Sequence, residues 1–355
     1  MMTTRAATVV VKVGSSSITE SDGALSGSAL DALVDQLGAL ARGGARPLLV
    51  SSGAIAAGRR AIGVAAREID ALQGLAAVGQ GLLIAEYTRR FAAHDVRVAQ
   101  VLLTARDFGD RGAYLNARRT LERLLSWNVV PVINENDTTA TDEITFGDND
   151  RLAALVATLV GADLLLILTD TAGVFSADPR LSAEASLIDE VTHLDASLEA
   201  ATSDVPGTTM GSGGMASKIA AARIAAWSGV PCVIAGAATA GVVTRVVAGE
   251  PVGTLVRARP QRMPARGRLV IDEGAVEAIS RRGRSLLPVG VREVGGEFHT
   301  GDAVEIVDPG GTLVAKGLAA CPAGRLREVA GRPRDGSEAG ATEAVHRDDL
   351  VVLIG

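Results

Sequence analysis

Apolar and polar positions follow two rhythms along the chain. Short β-branched and aliphatic runs fall at Thr8–Val13, Pro47–Val50, Arg97–Leu103, Val129–Ile133, Leu164–Thr169 and Pro231–Ala235. Runs of this length read as strands, and near-continuous hydrophobicity marks strands covered on both faces. Between them the spacing becomes helical. Leu30, Leu33, Val34, Leu37 and Leu40 share one face of a helix over Ser28–Arg42, which Gly43-Gly44 stops. The same pattern predicts helices over Leu72–His94, Ala113–Trp127, Asp150–Val160 and Lys218–Trp227. Gly253–Val256 reads as a last edge strand. Strands alternating with helices predict an α/β fold, a three-layer sandwich with a largely parallel sheet and helices on both faces.

After Arg268 the texture changes. Leu269–Asp272, Leu286–Val289, Val304–Val307, Leu313–Leu318 and Leu350–Ile354 read as short strands separated by Gly/Pro turns, with a short helix over Gly274–Arg282. This predicts a small, mostly β, barrel-like second domain. Arg257–Gly267, with its prolines and arginines, reads as a linker, and Val329–Thr342 as a Gly/Arg-rich loop. A chain of 355 residues accommodates both domains. The expected boundaries are 1–257, 258–267 for the linker, and 268–355.

Composition narrows the function. The chain is 47% hydrophobic and 21% charged, with a net charge of −6, so nothing global attracts nucleic acid or an anionic membrane. Cys232 and Cys321 lie far apart, which predicts a reducing compartment and no disulfide framework. The four histidines are scattered, with no metal-ligand spacing. No apolar segment follows a basic start. Leu152–Leu168 is the most membrane-like run, but Gly161-Ala162-Asp163 interrupts it, so it reads as helix, tight loop and buried strand. A cytoplasmic protein is expected.

Ligands of open α/β sheets bind beyond the carboxyl ends of the strands. The segments there are Gly14-Ser15-Ser16, Ser51-Ser52-Gly53, Asn134-Glu135-Asn136-Asp137 and Thr169-Asp170-Thr171, all small and polar. The glycine-rich stretch Gly211-Ser212-Gly213-Gly214-Met215-Ala216-Ser217-Lys218 runs into a helix start. Backbone N–H groups and the helix dipole favour an anion there. It lacks the spacing of the common P-loop. A flexible surface loop is the competing reading. Lysine placement favours the phosphate site: among 35 Lys and Arg residues the only lysines are Lys12, Lys218 and Lys316, and the first two sit beside Gly/Ser-rich turns. A lysine ammonium suits a single phosphate oxygen.

The stretch Asn134–Arg151 carries Glu135, Asp137, Asp142, Glu143, Asp148 and Asp150 with almost no apolar content. It reads either as a solvated loop with Asp148 or Asn149 capping the next helix, or as a functional insertion whose acids hold a substrate ammonium or a metal–nucleotide.

These motifs, in this order over about Thr8–Val256, resemble the amino-acid kinase family. Those carrying the resemblance are Val11-Lys12-Val13-Gly14-Ser15, Val50–Gly58, Gln80-Gly81, Asn134-Glu135-Asn136-Asp137, Phe146-Gly147-Asp148-Asn149-Asp150, Leu168-Thr169-Asp170, Asp178-Pro179-Arg180 and Gly211–Lys218. Within the family, the pairing of N-E-N-D with F-G-D-N-D resembles the branch that phosphorylates the γ-carboxylate of L-glutamate. The tail resembles a PUA domain. The resemblance implies the amino-acid kinase fold, ATP and Mg2+ as cofactors, L-glutamate as substrate, proline as a feedback inhibitor and a homo-oligomer. It implies catalytic roles for Lys12 and Lys218 in neutralising the transferring phosphoryl group. Asp170 would orient lysine or the magnesium–nucleotide. Thr169, Asp170, Ser212, Gly213, Gly214, Met215, Ala216, Ser217 and Lys218, with Lys12, would hold ATP. Ser52, Asp137 and Asn149 would hold glutamate, while capping or structural pairing explains Asp148 and Asp150 equally well. The resemblance assigns no metal ligand. Two departures stand out: Ser212 where the family often has threonine, and the serine-rich turn Ser15-Ser16-Ser17.

Sister kinases acting on acetylglutamate, aspartate, carbamate or a nucleotide are the nearest rivals. N-acetylglutamate has no ammonium for the acidic loop to pair, and a nucleoside phosphate would want more positive charge. A different rival is RNA binding by the tail through the arginine-rich stretch Arg257–Arg284; the only aromatic residue after Trp227 is Phe298, so no stacking platform supports it.

Overall fold

The computed structural model describes residues 6–139, 149–177, 182, 184–191, 214–258, 265–332 and 343–353. The chain divides into two compact units: Met1–Thr104 with Ala117–Arg259, and Ala105–Asn116 with Pro260–Gly355.

The first unit is built on an eight-stranded sheet of order β3-β4-β2-β1-β5-β7-β8-β6. Its strands are β1 (Thr8–Val13), β2 (Arg46–Ser51), β3 (Arg97–Leu103), β4 (Val129–Glu135), β5 (Leu164–Thr169), β6 (Glu190–Val191), β7 (Cys232–Gly236) and β8 (Thr254–Val256). All pairings are parallel except β7 with β8. β1 and β5 are adjacent at the centre, and every residue of β1 is buried. The helices of this unit are α1 (Gly27–Arg42), α2 (Ala54–Ile62), α3 (Ile69–Ala92), α6 (Asn149–Val160), α7 (Met215–Trp227) and α8 (Val242–Val247); α4 (Ala105–Gly109) falls in the second unit and α5 (Arg111–Ser126) is divided between the two.

Strand alternation sorts the core. Val9, Val11 and Val13 pack with Leu30, Leu37, Leu83, Phe91 and Val243 from α1, α3 and α8. The opposite face of β1 meets α6, which is buried from Leu152 to Ala157. A helix that is apolar all round belongs inside. The expected three-layer, largely parallel α/β sandwich is therefore present.

Sequence periodicity missed α2. Its glycine, Gly58, is a poor helix former, yet it lies where α2 crosses α3. A Cβ on Gly58 would sit 1.9 Å from the Leu75 carbonyl oxygen, and one on Gly79 would sit 1.7 Å from that of Ala54. The two backbones touch, which only glycine permits. The expected edge strand at Gly253–Val256 is not the edge: β6, two residues long and in a polar context, pairs outside it. Residues 192–213 lie outside the described residues, as do 140–148 and Asp178–Arg180.

The second unit holds a five-stranded sheet of order β10-β9-β11-β12-β13. These strands are β9 (Gly267–Ile271), β10 (Val291–Gly296), β11 (Ala303–Val307), β12 (Leu313–Leu318) and β13 (Leu350–Val352), with helices α9 (Glu273–Ser280) and α10 (Ala323–Val329). Leu269, Ile271, Phe298, Ile306, Val314 and Leu326 fill its core. The strand expected over Leu286–Val289 shrinks to a single bridge from Leu286 to Val345, because Pro288 starts a 3-10 turn. The helix α10 occupies part of a segment the sequence pattern left unassigned. Among the described residues no helix is long and apolar enough to cross a membrane.

Candidate active site

The site gathers at the carboxyl ends of the central strands. Lys12 is the penultimate residue of β1 and points away from its valine neighbours, toward the start of α6. Lys218 lies in the first turn of α7. Both reach one carboxylate. Lys12 Nζ is 2.6 Å from Asp150 Oδ1 and Lys218 Nζ is 3.2 Å from Asp150 Oδ2. Ser217 Oγ lies 2.9 Å from Asp150 Oδ2 and donates to it. The Asp150 side chain is 0% exposed, and those of Lys12 and Lys218 are 5% and 7% exposed.

Burial pushes the Asp150 carboxyl up, but Lys12, Lys218 and the hydrogen bonds from Lys12 and Ser217 together outweigh it. The net effect holds it below the usual carboxylate range. It therefore stays ionised, and among the described residues both lysines share this one carboxylate. Two buried lysines beside the first turns of α6 and α7 form an arrangement that favours an anion.

Next to this cluster lies a set of neutral hydrogen-bonding groups. Gly53, at φ 97°, turns the chain from β2 into α2 and leaves Ser52 at the strand end. Asn149 opens α6, and its Nδ2 lies 2.8 Å from Ser52 Oγ, 3.0 Å from the Ser51 carbonyl oxygen and 2.8 Å from Asn134 Oδ1. Ser51, by contrast, turns its hydroxyl to Tyr87, 2.8 Å away, in the interior. Asp137 follows β4 in a turn, half-buried.

Thr169 and Asp170 end β5, the strand beside β1. Thr169 is buried and donates to the exposed Asp170 at 3.0 Å. The carboxylate between the lysines is Asp150, not Asp170. Gly214, Met215, Ala216 and Ser217 form the start of α7, with Gly214 extended at φ −63°, ψ 170°. Ser212 and Gly213 lie outside the described residues.

The structure thus brings Lys12 and Lys218 together, and Ser52 and Asn149 together, at one edge of the sheet. Asp150 was underweighted by sequence reasoning, because capping or structural pairing explained it equally well. Gln80 and Asn134 had no assigned role. Among the described residues no group of three or more His, Cys, Asp or Glu could hold a metal ion.

Two buried lysines converging at the carboxyl edge of a parallel sheet suit a phosphotransferase, and sequence profiles agree. The amino acid kinase family profile matches residues 7–236, and the PUA domain profile matches residues 267–335. The chain belongs to the amino acid kinase family, whose members are phosphotransferases, and carries a C-terminal PUA domain. Its relatives include the glutamate 5-kinase of Ralstonia nicotianae, 46% identical over 363 residues and covering 97% of each chain. That of Stutzerimonas stutzeri is 47% identical over 362 residues, again covering 97% of each. Among solved structures, the UMP kinase of Bacillus anthracis superposes with a TM-score of 0.50 at 14% identity, covering 71% of this chain and 96% of that one; this likeness concerns the fold alone.

Proposed function

We propose that the protein is a glutamate 5-kinase, transferring the γ-phosphoryl group of ATP to the γ-carboxylate of L-glutamate to form L-glutamate 5-phosphate, the first step of proline biosynthesis. The observation that carries this reading is the buried Lys12–Asp150–Lys218 cluster, set beside the Ser52–Asn149 pair. A γ-carboxylate, with a reference pKa of about 4.3, is already ionised at neutral pH and needs no general base. Its oxygen attacks the γ-phosphorus, the bond to the β–γ bridging oxygen breaks, and ADP leaves; no proton is transferred. The protein's work is alignment and charge neutralisation.

In this reading Lys12 and Lys218 meet the transferring phosphoryl group, and Asp150 holds both ammonium groups in place. Thr169, Asp170 and the Ser212–Lys218 stretch hold ATP. Asp137 pairs with the substrate ammonium, while Ser52 and Asn149 hold its α-carbon end. The donor set fits Mg2+ that arrives on the nucleotide phosphates, since this ion keeps much of its shell as phosphate and water oxygens. Asp170, exposed at the end of β5, would orient a lysine or the magnesium–nucleotide. The catalytic domain is taken as 1–257, the linker as 258–267 and the PUA-like domain as 268–355, in a cytoplasmic protein.

Self-association is part of the proposal. Helix α3 buries one face and exposes a second apolar stripe, Ala77, Val78, Gly81, Leu82 and Ala85. A second copy would cover it, and proline would act as an inhibitor on that assembly. Leu82→Glu is expected to lower the mass measured by light scattering; an unchanged mass removes α3 from the interface. RNA is not taken as a partner. The cleft of about 900 Å³ in the second unit has Arg282, Arg284 and Arg347 on its walls, but Phe298 is 3% exposed and offers no stacking face.

The test is hydroxylamine trapping of an acyl phosphate with ATP, magnesium and L-glutamate, for the wild type, Lys218→Ala and Asp137→Ala. Hydroxamate from glutamate but not from aspartate or acetylglutamate, lost in both variants, supports the reading. Trapping with a different acid moves the substrate to a sister kinase. No trapping with any acid, in a folded protein that binds ATP, overturns it.

A further inference from the structure

Behind Ser52 and Asn149 lies a chain of buried amides. Glu135 N–H donates to Asn134 Oδ1 at 2.9 Å, and Asn134 Nδ2 donates to Gln80 Oε1 at 2.6 Å. Asn149 Nδ2 donates to Asn134 Oδ1 and to the Ser51 carbonyl. Gln80, Asn134 and Asn149 are 8%, 2% and 8% exposed.

The direction of this chain is not a free choice. The oxygen and nitrogen of a side-chain amide exchange places by a flip, so their assignment must come from partners that cannot flip. Two such partners are present. The Glu135 N–H only donates, so Asn134 must turn its oxygen toward it and its Nδ2 toward Gln80. The Ser51 carbonyl only accepts, so Asn149 must turn its Nδ2 toward it. Gln80 then has one orientation that works, with Oε1 facing Asn134. This leaves Gln80 Nε2 buried with no hydrogen-bond partner among the described residues. An unpaired buried amino group is unfavourable, and a methionine or leucine would fill this helix position without it. The carbonyl oxygen toward Asn134 is what the glutamine supplies.

The consequence appears at the other end. Ser52 Oγ accepts from Asn149 Nδ2 at 2.8 Å. A hydroxyl that accepts there has its own hydrogen free to turn outward, as a donor. Asn149 Nδ2 has two hydrogens, which its three acceptors (the Ser51 carbonyl, Ser52 Oγ and Asn134 Oδ1) share, so Asn149 Oδ1 takes the other side of the amide. A donor and an acceptor side by side match the carboxylate and ammonium of an amino-acid α-carbon.

We propose that Gln80 is a positioning residue of the substrate site. Through Asn134 it locks the Asn149 amide, and so holds Ser52 as the donor to the substrate α-carboxylate and Asn149 Oδ1 as an acceptor for the ammonium. This rests on the glutamate reading above.

The test compares Gln80→Met, which keeps volume and removes the acceptor, with Gln80→Glu, which keeps an acceptor toward Asn134. Gln80→Leu replaces Gln80→Met should that variant not fold. Loss of one oriented charge-assisted contact corresponds to about a tenfold change in binding. The expected result is a glutamate KM raised about tenfold in Gln80→Met, an unchanged ATP KM, and values within about threefold of wild type in Gln80→Glu. In a Ser52→Ala background, Gln80→Met should add less than about twofold, because the hydroxyl it orients is gone. Glutamate KM within about twofold of wild type in Gln80→Met overturns the inference. So do equal rises in both KM values, or a full tenfold added on Ser52→Ala, each of which marks a merely structural glutamine. Wild-type protein that forms no γ-glutamyl hydroxamate overturns the glutamate reading, and the inference with it; active wild type with an unmoved Gln80→Met overturns the inference alone.

Discussion

Asp150→Asn is the substitution that most directly probes the lysine cluster. The wild-type group holds two ammonium ions against one carboxylate whose side chain is 0% exposed. Asparagine keeps the shape and removes the negative charge that both lysines share. A unit charge pair at 4 Å is worth about 4 kcal/mol at an effective dielectric of 20. Breaking a buried pair by removing one partner costs about 3–5 kcal/mol. The two lysines share one carboxylate, so the substitution counts as one broken buried pair and the expected loss is about 3–5 kcal/mol. Against a domain stability of about 5–15 kcal/mol this is large. Catalysis should fall independently of folding, since one preorganised charged donor contributes about 2.7–4 kcal/mol, a factor of 10²–10³. Urea unfolding followed by circular dichroism measures the first, and coupled ADP release under ligand saturation measures the second. A sulfate titration adds a signature of charge: the anion should raise the midpoint of Asp150→Asn more than that of wild type. Unfolding free energy within about 1 kcal/mol of wild type, with kcat within about threefold, would refute the account.

The same carboxylate predicts an acid limb. Its folded pKa lies below the ordinary value of 3.8, so its stabilisation is fully present above that value and is lost as pH falls through the lower, folded pKa. The Tm difference between wild type and Asp150→Asn should narrow from pH 5 toward pH 2; a constant or widening gap would contradict the sign. Gly79→Ala places a Cβ against the Ala54 carbonyl and should destabilise by about 3 kcal/mol, whereas Gly74→Ala on the open side of the same helix should be neutral or stabilise by up to about 1 kcal/mol. Equal thermal shifts for the two would mean that α2 and α3 do not meet as described.

The parts legible in the sequence are those governed by local pattern. Thr8–Val13 reads as a strand because Thr8, Val9, Val10, Val11 and Val13 are β-branched, and α1 reads from the spacing of its leucines. Helix α2 does not read, because Gly58 looks unfavourable until Leu75 is seen against it. The lysines stand out through scarcity, so composition found them. Asp150 does not stand out, because its meaning comes from Lys12 and Lys218, 138 and 68 positions away. Gln80 is quieter still: its partner is 54 residues distant, and nothing in the surrounding apolar helix tells which end of the amide faces it. Pattern carries the scaffold, while the hydrogen-bond directions at the site are long-range facts.

The sparing use of lysine also decides how the protein meets covalent chemistry. An amine-acylating reagent has three side chains to choose from: Lys12 and Lys218 are 4% and 6% exposed, and Lys316 has a side chain 52% exposed. Arginine, which supplies the remaining positive charge, does not react. Peptide mass spectrometry of an acylated sample would therefore show modification at Lys316 as a constant reference. Modification at Lys12 or Lys218 would report how often the interior opens. Each side-chain label is a separate reporter, with no crowd of surface amines to subtract.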